Sequence, residues 1–167
     1  MAVERSPIEW AMLPLKNYAG FSGRAPRAEY WWYYLFVLIA YMVAVFVDSM
    51  LGSSLFGPYG ILTALLWLAL IVPTLAVGAR RLHDTNRTGW WLLAPIIPYV
   101  IGFAMMGPAM LDPEGAGMAA AGGAMIFMLI GFVMAIVIFV FTVLRGTQGA
   151  NKYGPDPYGA DVEQVFA

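Results

Sequence analysis

Four long apolar stretches constrain the fold of this chain more than any other feature. Residues 30–47, 59–77, 90–106 and 119–144 contain no Lys, Arg, Asp or Glu. A helix needs about 20 apolar residues to cross a hydrocarbon core of roughly 30 Å. Runs such as AIVIFVFTVL are apolar on every face, unlike the alternating strands of a barrel. The sequence therefore predicts an all-α integral membrane protein whose four transmembrane helices pack as an antiparallel bundle.

The composition excludes several classes of function. Hydrophobic residues make up 61% of the 167 residues, and charged residues make up only 11%. The polar side chains are therefore too few to cover the surface of a soluble globular protein. A net charge of -1 provides no strongly basic surface for nucleic acid. Cysteine is absent, so disulfides, thiolate metal sites and cysteine nucleophiles are excluded.

The basic residues are confined to one side of the predicted bundle. Lys and Arg occur before the first span, between the second and third, and after the fourth. The two other loops contain Asp48, Asp112 and Glu114 but no basic residue. Because basic loops stay on the cytoplasmic side, we expect both termini to be cytoplasmic. Residues 1–29 then form an N-terminal segment, residues 30–145 the transmembrane domain and residues 146–167 a cytoplasmic tail.

The N-terminal segment, residues 1–29, is too polar to span a membrane. Its apolar residues Ile8, Met12, Leu15 and Ala19 recur at helical spacing. This pattern favours a short helix lying on the membrane surface. The segment has no apolar core followed by a small-residue cleavage site, so we expect no removable signal peptide.

Three polar segments contain the residues that could form a site. They are FSGRAPRAEYWW at 21–32, ARRLHDTNRTGWW at 79–91 and GANKYGPDPYG at 149–159. The predicted topology places all three on the cytoplasmic face, where short connections would bring them into one polar layer. Basic groups beside exposed turn amides suit a phosphate or another anion. The candidate binding residues are Arg24, Arg27, Arg80, Arg81, His83, Asp84, Asn151 and Tyr153.

Each segment also has a purely structural explanation. The arginines can act as topology determinants, and Glu29 suits the first turn of a helix as well as it suits a partner role. Trp31, Trp90 and Trp91 suit the headgroup level, where they would anchor the spans. The small residues of the last span fit packing within the bundle better than a dedicated dimer interface; they are Ala119, Gly123, Gly131 and Ala135.

His83 and Asp84 are adjacent, and adjacent residues on a helix do not face each other. Asp84 is therefore expected to pair with Arg80 or Arg81, or to cap the next helix. One histidine without cysteine is too few ligands for a metal site, and no serine lies in a glycine-flanked elbow. We predict no catalytic residue, no metal and no cofactor.

Together the three segments resemble the domain-of-unknown-function 805 family of small bacterial inner-membrane proteins. The resemblance extends from about Tyr18 to Pro157, and the combination of RRLHD with GWW is its most specific part. Thr88 stands where the family usually has serine, and the loop from Gly107 to Gly117 is longer and richer in glycine than usual. The resemblance implies the fold and the location, and it implies no activity. The matching positions are Gly23, Arg24, Arg27, Tyr30, Trp31, Arg80, Arg81, His83, Asp84, Gly89, Trp90, Asn151, Gly154 and Pro155.

The sequence favours a non-enzymatic protein of the bacterial inner membrane. Its basic layer would bind an anionic phospholipid or a membrane-protein partner, as an accessory or assembly subunit does. One alternative is a small transporter or channel, which would ordinarily need ionisable residues at mid-membrane. Another is an interfacial enzyme acting on a lipid or phosphorylated substrate, with His83 as acid and base and the arginines on phosphate.

Overall fold

The computed structural model describes residues 5–53, 59–111 and 116–158. These residues form α1 (Pro7–Lys16), α2 (Arg27–Met50), α3 (Ile61–Asp84), a 3₁₀ turn (Gly89–Leu93), α4 (Ile96–Leu111) and α5 (Ala116–Val143), and they form no strand. Within the same residues, four helical stretches are long and apolar enough to cross a membrane: Arg27–Met50, Ile61–Asp84, Gly89–Gly107 and Gly117–Val143. The prediction of an all-α protein with four such helices is confirmed.

The chain divides into two compact units. The first unit, Met1–Arg87 with Arg145–Ala167, contains α1, α2, α3 and the segment that follows α5. The second unit, Thr88–Leu144, contains the 3₁₀ turn, α4 and α5.

Helix α1 begins with a capping box. Ser6 Oγ accepts a hydrogen bond from the Glu9 N–H at 3.3 Å, and the Glu9 carboxylate accepts one from the Ser6 N–H at 2.7 Å. Hydrogen bonds from the backbone N–H and then the hydroxyl of Ser6 hold the pKa of Glu9 below its ordinary value. The helix contacts both α2 and α3 and buries Ala11 and Pro14. The predicted short N-terminal helix therefore forms, and it packs against α2 and α3 within the first unit.

Helices α2 and α3 are joined by polar contacts at both ends. The start of α2 meets the end of α3 through Glu29 and Arg80, and the Tyr33 and Thr74 hydroxyl oxygens lie 3.0 Å apart further along. The end of α2 meets the start of α3 at Asp48. A hydrophobic core fills the space between these contacts; it contains Ala25, Tyr30, Tyr33, Val37, Leu70 and Val77.

Asp48 caps the start of α3 from the neighbouring helix. Its carboxylate accepts hydrogen bonds from the backbone N–H groups of Gly60, Leu62 and Thr63 and from the Thr63 hydroxyl, at 2.7 to 3.2 Å. The first N–H groups of a helix lack helical partners, and the N-cap residue Gly60 has no side chain to offer them. A Cβ at Gly60 would overlap the Asp48 carboxylate, which explains the glycine. The sequence places Asp48 in a turn, whereas α2 continues past it.

Pro73 interrupts the hydrogen bonding of α3. Because proline has no N–H, the carbonyl of Ala69, four residues earlier, loses its helical donor. The Tyr18 hydroxyl donates to that carbonyl, and the buried Tyr33 hydroxyl donates to the adjacent Leu70 carbonyl at 3.5 Å. The N-terminal segment thus supplies a hydrogen bond that α3 cannot make by itself.

Helix α3 ends at Asp84, whereas its apolar run predicts an end near residue 77. It continues because its last polar side chains point into the protein, where they find partners. The chain then leaves the helix in a Schellman motif, in which Arg87 N–H donates to Leu82 O and Asn86 N–H donates to His83 O, both at 2.9 Å. Asn86 adopts the left-handed conformation that this motif requires, with φ at 59°. The chain therefore leaves the path of α3 at Asn86.

In the second unit, α4 and α5 approach each other closely at glycines of α5. A Cβ at Gly131 would lie 3.1 Å from the Tyr99 ring, and one at Gly123 would overlap the end of Met105. These contacts favour packing between α4 and α5 as the role of the small residues. Trp91 packs edge-on against a ring of α5, with the two centroids 5.7 Å apart.

Candidate functional site

The end of α3 supplies three buried charged side chains. Arg80, Arg81 and Asp84 lie on one helical turn, and their side chains are 4%, 0% and 2% exposed. Arg81 Nη1 donates to Asp84 Oδ2 across the spacing of three residues. The expected pairing of Asp84 with a preceding arginine is therefore confirmed for Arg81.

Arg24 from the N-terminal segment reaches the same carboxylate. Its Nε donates to Asp84 Oδ1 at 2.9 Å, so one carboxylate is shared by two guanidinium groups. The remaining donors of Arg24 bind the backbone that follows α5: Nη1 donates to the Gly149 carbonyl at 2.6 Å, and Nη2 donates to the Thr147 carbonyl. One arginine thereby links the N-terminal segment, α3 and residues 145–158 after α5, which we call the C-terminal segment.

Arg80 and Glu29 form a second buried ion pair. Arg80 Nη2 and Glu29 Oε1 are 2.6 Å apart, and Arg80 Nη1 donates to the Gly20 carbonyl. The N-cap of α2 is Pro26, and no side chain caps this helix. Glu29 thus pairs with Arg80 from the first turn of α2, so it has the partner role as well as the expected position at the helix start.

The C-terminal segment covers the end of α3. Thr147 N–H and Oγ1 both donate to the Asp84 carbonyl, at 2.8 and 3.1 Å, and Asn151 Nδ2 donates to the His83 carbonyl at 2.9 Å. The last carbonyls of a helix lack helical donors, so this segment acts as a C-terminal cap built from distant residues. A Cβ at Gly146 would overlap the Asp84 carboxylate, so only glycine lets the segment approach this closely.

His83 contacts the C-terminal segment by ring stacking. Its ring lies on the Tyr153 ring with centroids 3.9 Å apart and planes 5° apart, and its Nδ1 lies 3.1 Å from the Gly23 carbonyl. Because a carbonyl only accepts, Nδ1 is the protonated nitrogen. Asp84 is bound by two arginines, so its carboxylate does not orient the His83 ring. This geometry places His83 in the contact between segments.

A cleft lies at the edge of this layer, at the start of α2. It has a volume of about 450 Å³ and is lined by Arg24, Arg27, Asp84, Arg145, Gly146, Thr147, Gln148, Asp156 and Tyr158. Arg27 and Arg145 are exposed, unlike Arg24 and Asp84, whose side chains are buried in their ion pair. The cleft therefore presents two arginines to a solvent-borne or lipid-borne group.

The structure brings together all eight candidate residues from the three polar segments. Contacts with one another or with the backbone of the neighbouring segments are made by Arg24, Arg80, Arg81, His83, Asp84, Asn151 and Tyr153. Arg27 lines the cleft. Trp31 is exposed on α2, whereas Trp90 and Trp91 belong to the second unit. In the part of the chain that the structure describes, no group of His, Cys, Asp or Glu could hold a metal ion.

Sequence reasoning missed four contributors to this region. Arg145, Thr147, Gly149 and Asp156 lie beside or inside the third segment, but nothing in their spacing relates them to Arg24 or Arg27. Two of them act through backbone carbonyls, which every residue has and no sequence pattern marks. The sequence feature that could have pointed to this region is Arg145, a basic residue directly after the last span.

Residues 18–155 match the family described as "Protein of unknown function (DUF805)". The chain is 36% identical to Inner membrane protein YhaH of Escherichia coli (strain K12) over 150 residues, which cover 90% of this chain and 97% of that protein. It is 35% identical to Inner membrane protein YhaI of the same strain over 150 residues, covering 90% and 96%. It is 36% identical to Uncharacterized protein YiiR of that strain over 137 residues, covering 81% and 84%. No solved structure matches this chain.

Proposed function

Because this chain belongs to the DUF805 family, as its three polar segments indicate, and the family description assigns no activity, we propose a role from the geometry of its first unit. The protein is an integral component of the bacterial inner membrane that binds the phosphate of an anionic lipid without catalysing a reaction. One observation carries the proposal: exposed Arg27 and Arg145 line a single cleft at the uncapped start of α2.

The topology that we propose follows from the relatives and from the distribution of charge. YhaH and YhaI are named inner membrane proteins. In this chain the basic residues precede the first span, separate the second from the third and follow the fourth, which supports an antiparallel bundle with both termini cytoplasmic. Arg27 opens α2 and Arg145 follows the end of α5 at Val143. Both arginines would then lie at the level of the cytoplasmic headgroups.

The buried arginines are not the binding groups in this proposal. Arg24, Arg80 and Arg81 already donate to Asp84, Glu29 and backbone carbonyls. Recruiting them for a ligand would leave a buried carboxylate without its partner, which costs about 3 to 5 kcal/mol. Their role is to hold the three segments together and so to shape the cleft.

The chemistry of the cleft suits a phosphate. Arginine presents a planar fork of donors that matches two phosphate oxygens, and the start of a helix adds a partial positive charge. Each basic residue near the membrane surface contributes about 1 kcal/mol toward an anionic lipid. Thr147 and Gln148 add polar groups to the same wall, where a glycerol hydroxyl of a headgroup could bind. The Asp48 carboxylate, by contrast, argues against ion transport, because hydrogen bonds from the start of α3 and from the Ser53 hydroxyl already occupy both its oxygens.

The test is retention of lipid by a variant that lacks both exposed arginines. The protein with Arg27→Gln and Arg145→Gln is purified in mild detergent, titrated with phosphatidylglycerol, and its bound lipid is measured by native mass spectrometry. We expect the affinity for phosphatidylglycerol to fall about 30-fold, because two headgroup contacts of about 1 kcal/mol each are lost. Binding of the zwitterionic phosphatidylethanolamine should fall less, because its ammonium group offsets the attraction of the arginines for its phosphate.

The matched control removes two basic residues outside the cleft. Arg5→Gln with Lys16→Gln makes the same change in net charge at exposed positions near α1. An equal loss of phosphatidylglycerol binding in both double variants would show that general charge and not the cleft attracts the lipid, and would overturn the proposal. If the cleft variant instead kept its lipid and lost a co-purifying subunit, the same arginines would bind a membrane-protein partner.

A further inference from the structure

The cleft contains a carboxylate of its own. Asp156 lines it together with Arg27 and Arg145. Asp156 Oδ2 accepts a hydrogen bond from the Gly149 N–H at 3.0 Å, and Oδ1 accepts one from the Tyr158 N–H at 2.9 Å. These two bonds hold the carboxylate in the cleft through the backbone of the C-terminal segment itself.

The segment that carries Asp156 is fixed at its base. Asn151 Nδ2 donates to the His83 carbonyl, and the Tyr153 ring stacks on His83, so residues 151–153 are attached to the end of α3. Asn151 and Gly154 exchange backbone hydrogen bonds at 3.0 and 3.1 Å, which turns the chain back toward the cleft. Gly154 has φ at +146°, which a residue with a side chain rarely adopts.

Two prolines restrict the residue between them. Asp156 lies between Pro155 and Pro157. A residue that precedes proline is confined to extended conformations, so the position of Asp156 is partly fixed before the segment docks. This restriction would have no use in a segment that served only as a tether. It is useful in a segment that must place a carboxylate in a defined cleft.

The geometry points to an internal competitor: we propose that Asp156 occupies the place of the lipid phosphate, and that residues 149–158 form a latch that the ligand displaces. This inference rests on the proposed function of the cleft. A carboxylate and a phosphate offer the same arrangement of acceptor oxygens to an arginine fork, so the two compete for Arg27 and Arg145. Binding of the lipid then releases Asp156 while the base of the latch stays attached to α3.

The test removes the charge of the competitor while keeping its shape. In the full-length protein, Asp156→Asn has one acceptor oxygen, so it keeps one of the two backbone hydrogen bonds, and it no longer attracts the arginines. We expect the affinity for phosphatidylglycerol to rise about three-fold, the effect of one exposed charge pair. The control Glu9→Gln removes one negative charge outside the cleft and preserves the capping box, so its affinity should equal that of the wild type.

A combination of the variants tests the latch independently of the phosphate-binding site. In the background of Arg27→Gln and Arg145→Gln, Asp156→Asn should have no effect, because the groups for which it competes are absent. An equal rise in both backgrounds, or no rise in the wild-type background, would overturn the latch while the loss caused by the arginine variants still supports the site. If the arginine variants bind lipid normally, the proposed function itself fails.

A soluble competitor identifies the source of the phosphate. Glycerol 3-phosphate carries the same group without acyl chains. If the site selects a lipid, millimolar glycerol 3-phosphate should leave phosphatidylglycerol bound to wild-type protein and to Asp156→Asn alike. Displacement by glycerol 3-phosphate would assign the site to a free phosphate ester. The latch is then tested by direct binding of glycerol 3-phosphate to lipid-free protein: tighter binding by Asp156→Asn than by the wild type would retain the latch, and equal binding would overturn it.

Discussion

At the scale of single residues, Asp84 contributes most to the polar layer. Its side chain binds Arg24 and Arg81, and its carbonyl accepts from Thr147. Sequence reasoning predicted that Asp84 pairs with Arg80 or Arg81, which share its helical face, or caps the next helix; the structure shows the contact with Arg81. It did not predict Arg24 or Thr147, which lie about 60 residues away in either direction. Helical periodicity relates only neighbours in sequence, so a shared carboxylate of this kind needs a three-dimensional structure.

Replacing Asp84 should therefore destabilise the first unit strongly. Asp84→Asn leaves two buried guanidinium groups with a neutral acceptor, and the free energy of unfolding should fall by about 3 kcal/mol. The measurement is equilibrium unfolding in mixed micelles, with the exposed Glu9→Gln as a control that should change little. A loss for Asp84→Asn below about 0.5 kcal/mol, the ordinary range of surface substitutions, would contradict the account.

At the scale of elements, the sequence predicted the four apolar helices because charge is absent over a membrane-spanning length. It did not predict how far α3 continues, since polarity along a chain does not show whether a polar side chain meets water or a buried partner. It also gave no sign that a tyrosine of the N-terminal segment compensates a proline of α3. Tyr18 and Pro73 are coupled through the Ala69 carbonyl, and this coupling can be measured.

Removing the Tyr18 hydroxyl should leave the Ala69 carbonyl without a donor. We expect Tyr18→Phe to lower the free energy of unfolding by about 1 kcal/mol. In a Pro73→Ala background the restored N–H can donate to Ala69 O, so Tyr18→Phe should there have little effect. The exposed Tyr59→Phe is the control. Equal effects of Tyr18→Phe in both backgrounds would show that the hydroxyl does not serve the proline site.

At the scale of the whole molecule, most of the charged side chains that the sequence offers as binding residues form ion pairs inside the protein. The candidate residues could be named from the three segments, since few polar residues occur in so apolar a chain. The sequence could not show which of these residues form a buried ionic layer and which line an exposed cleft, because this depends on which arginines the fold covers. Arg24, Arg80 and Arg81 are covered, and Arg27 and Arg145 are not.

The central claim is that the cleft of Arg27 and Arg145 binds the phosphate of an anionic lipid. It is tested most directly by determining the structure of the wild-type protein in nanodiscs of phosphatidylglycerol. We predict a headgroup phosphate within about 3 Å of both guanidinium groups, with Asp156 displaced from the cleft and the ion pairs of Arg24, Arg80 and Arg81 intact. A cleft that still holds Asp156 while ordered phosphatidylglycerol headgroups bind elsewhere on the protein would contradict it.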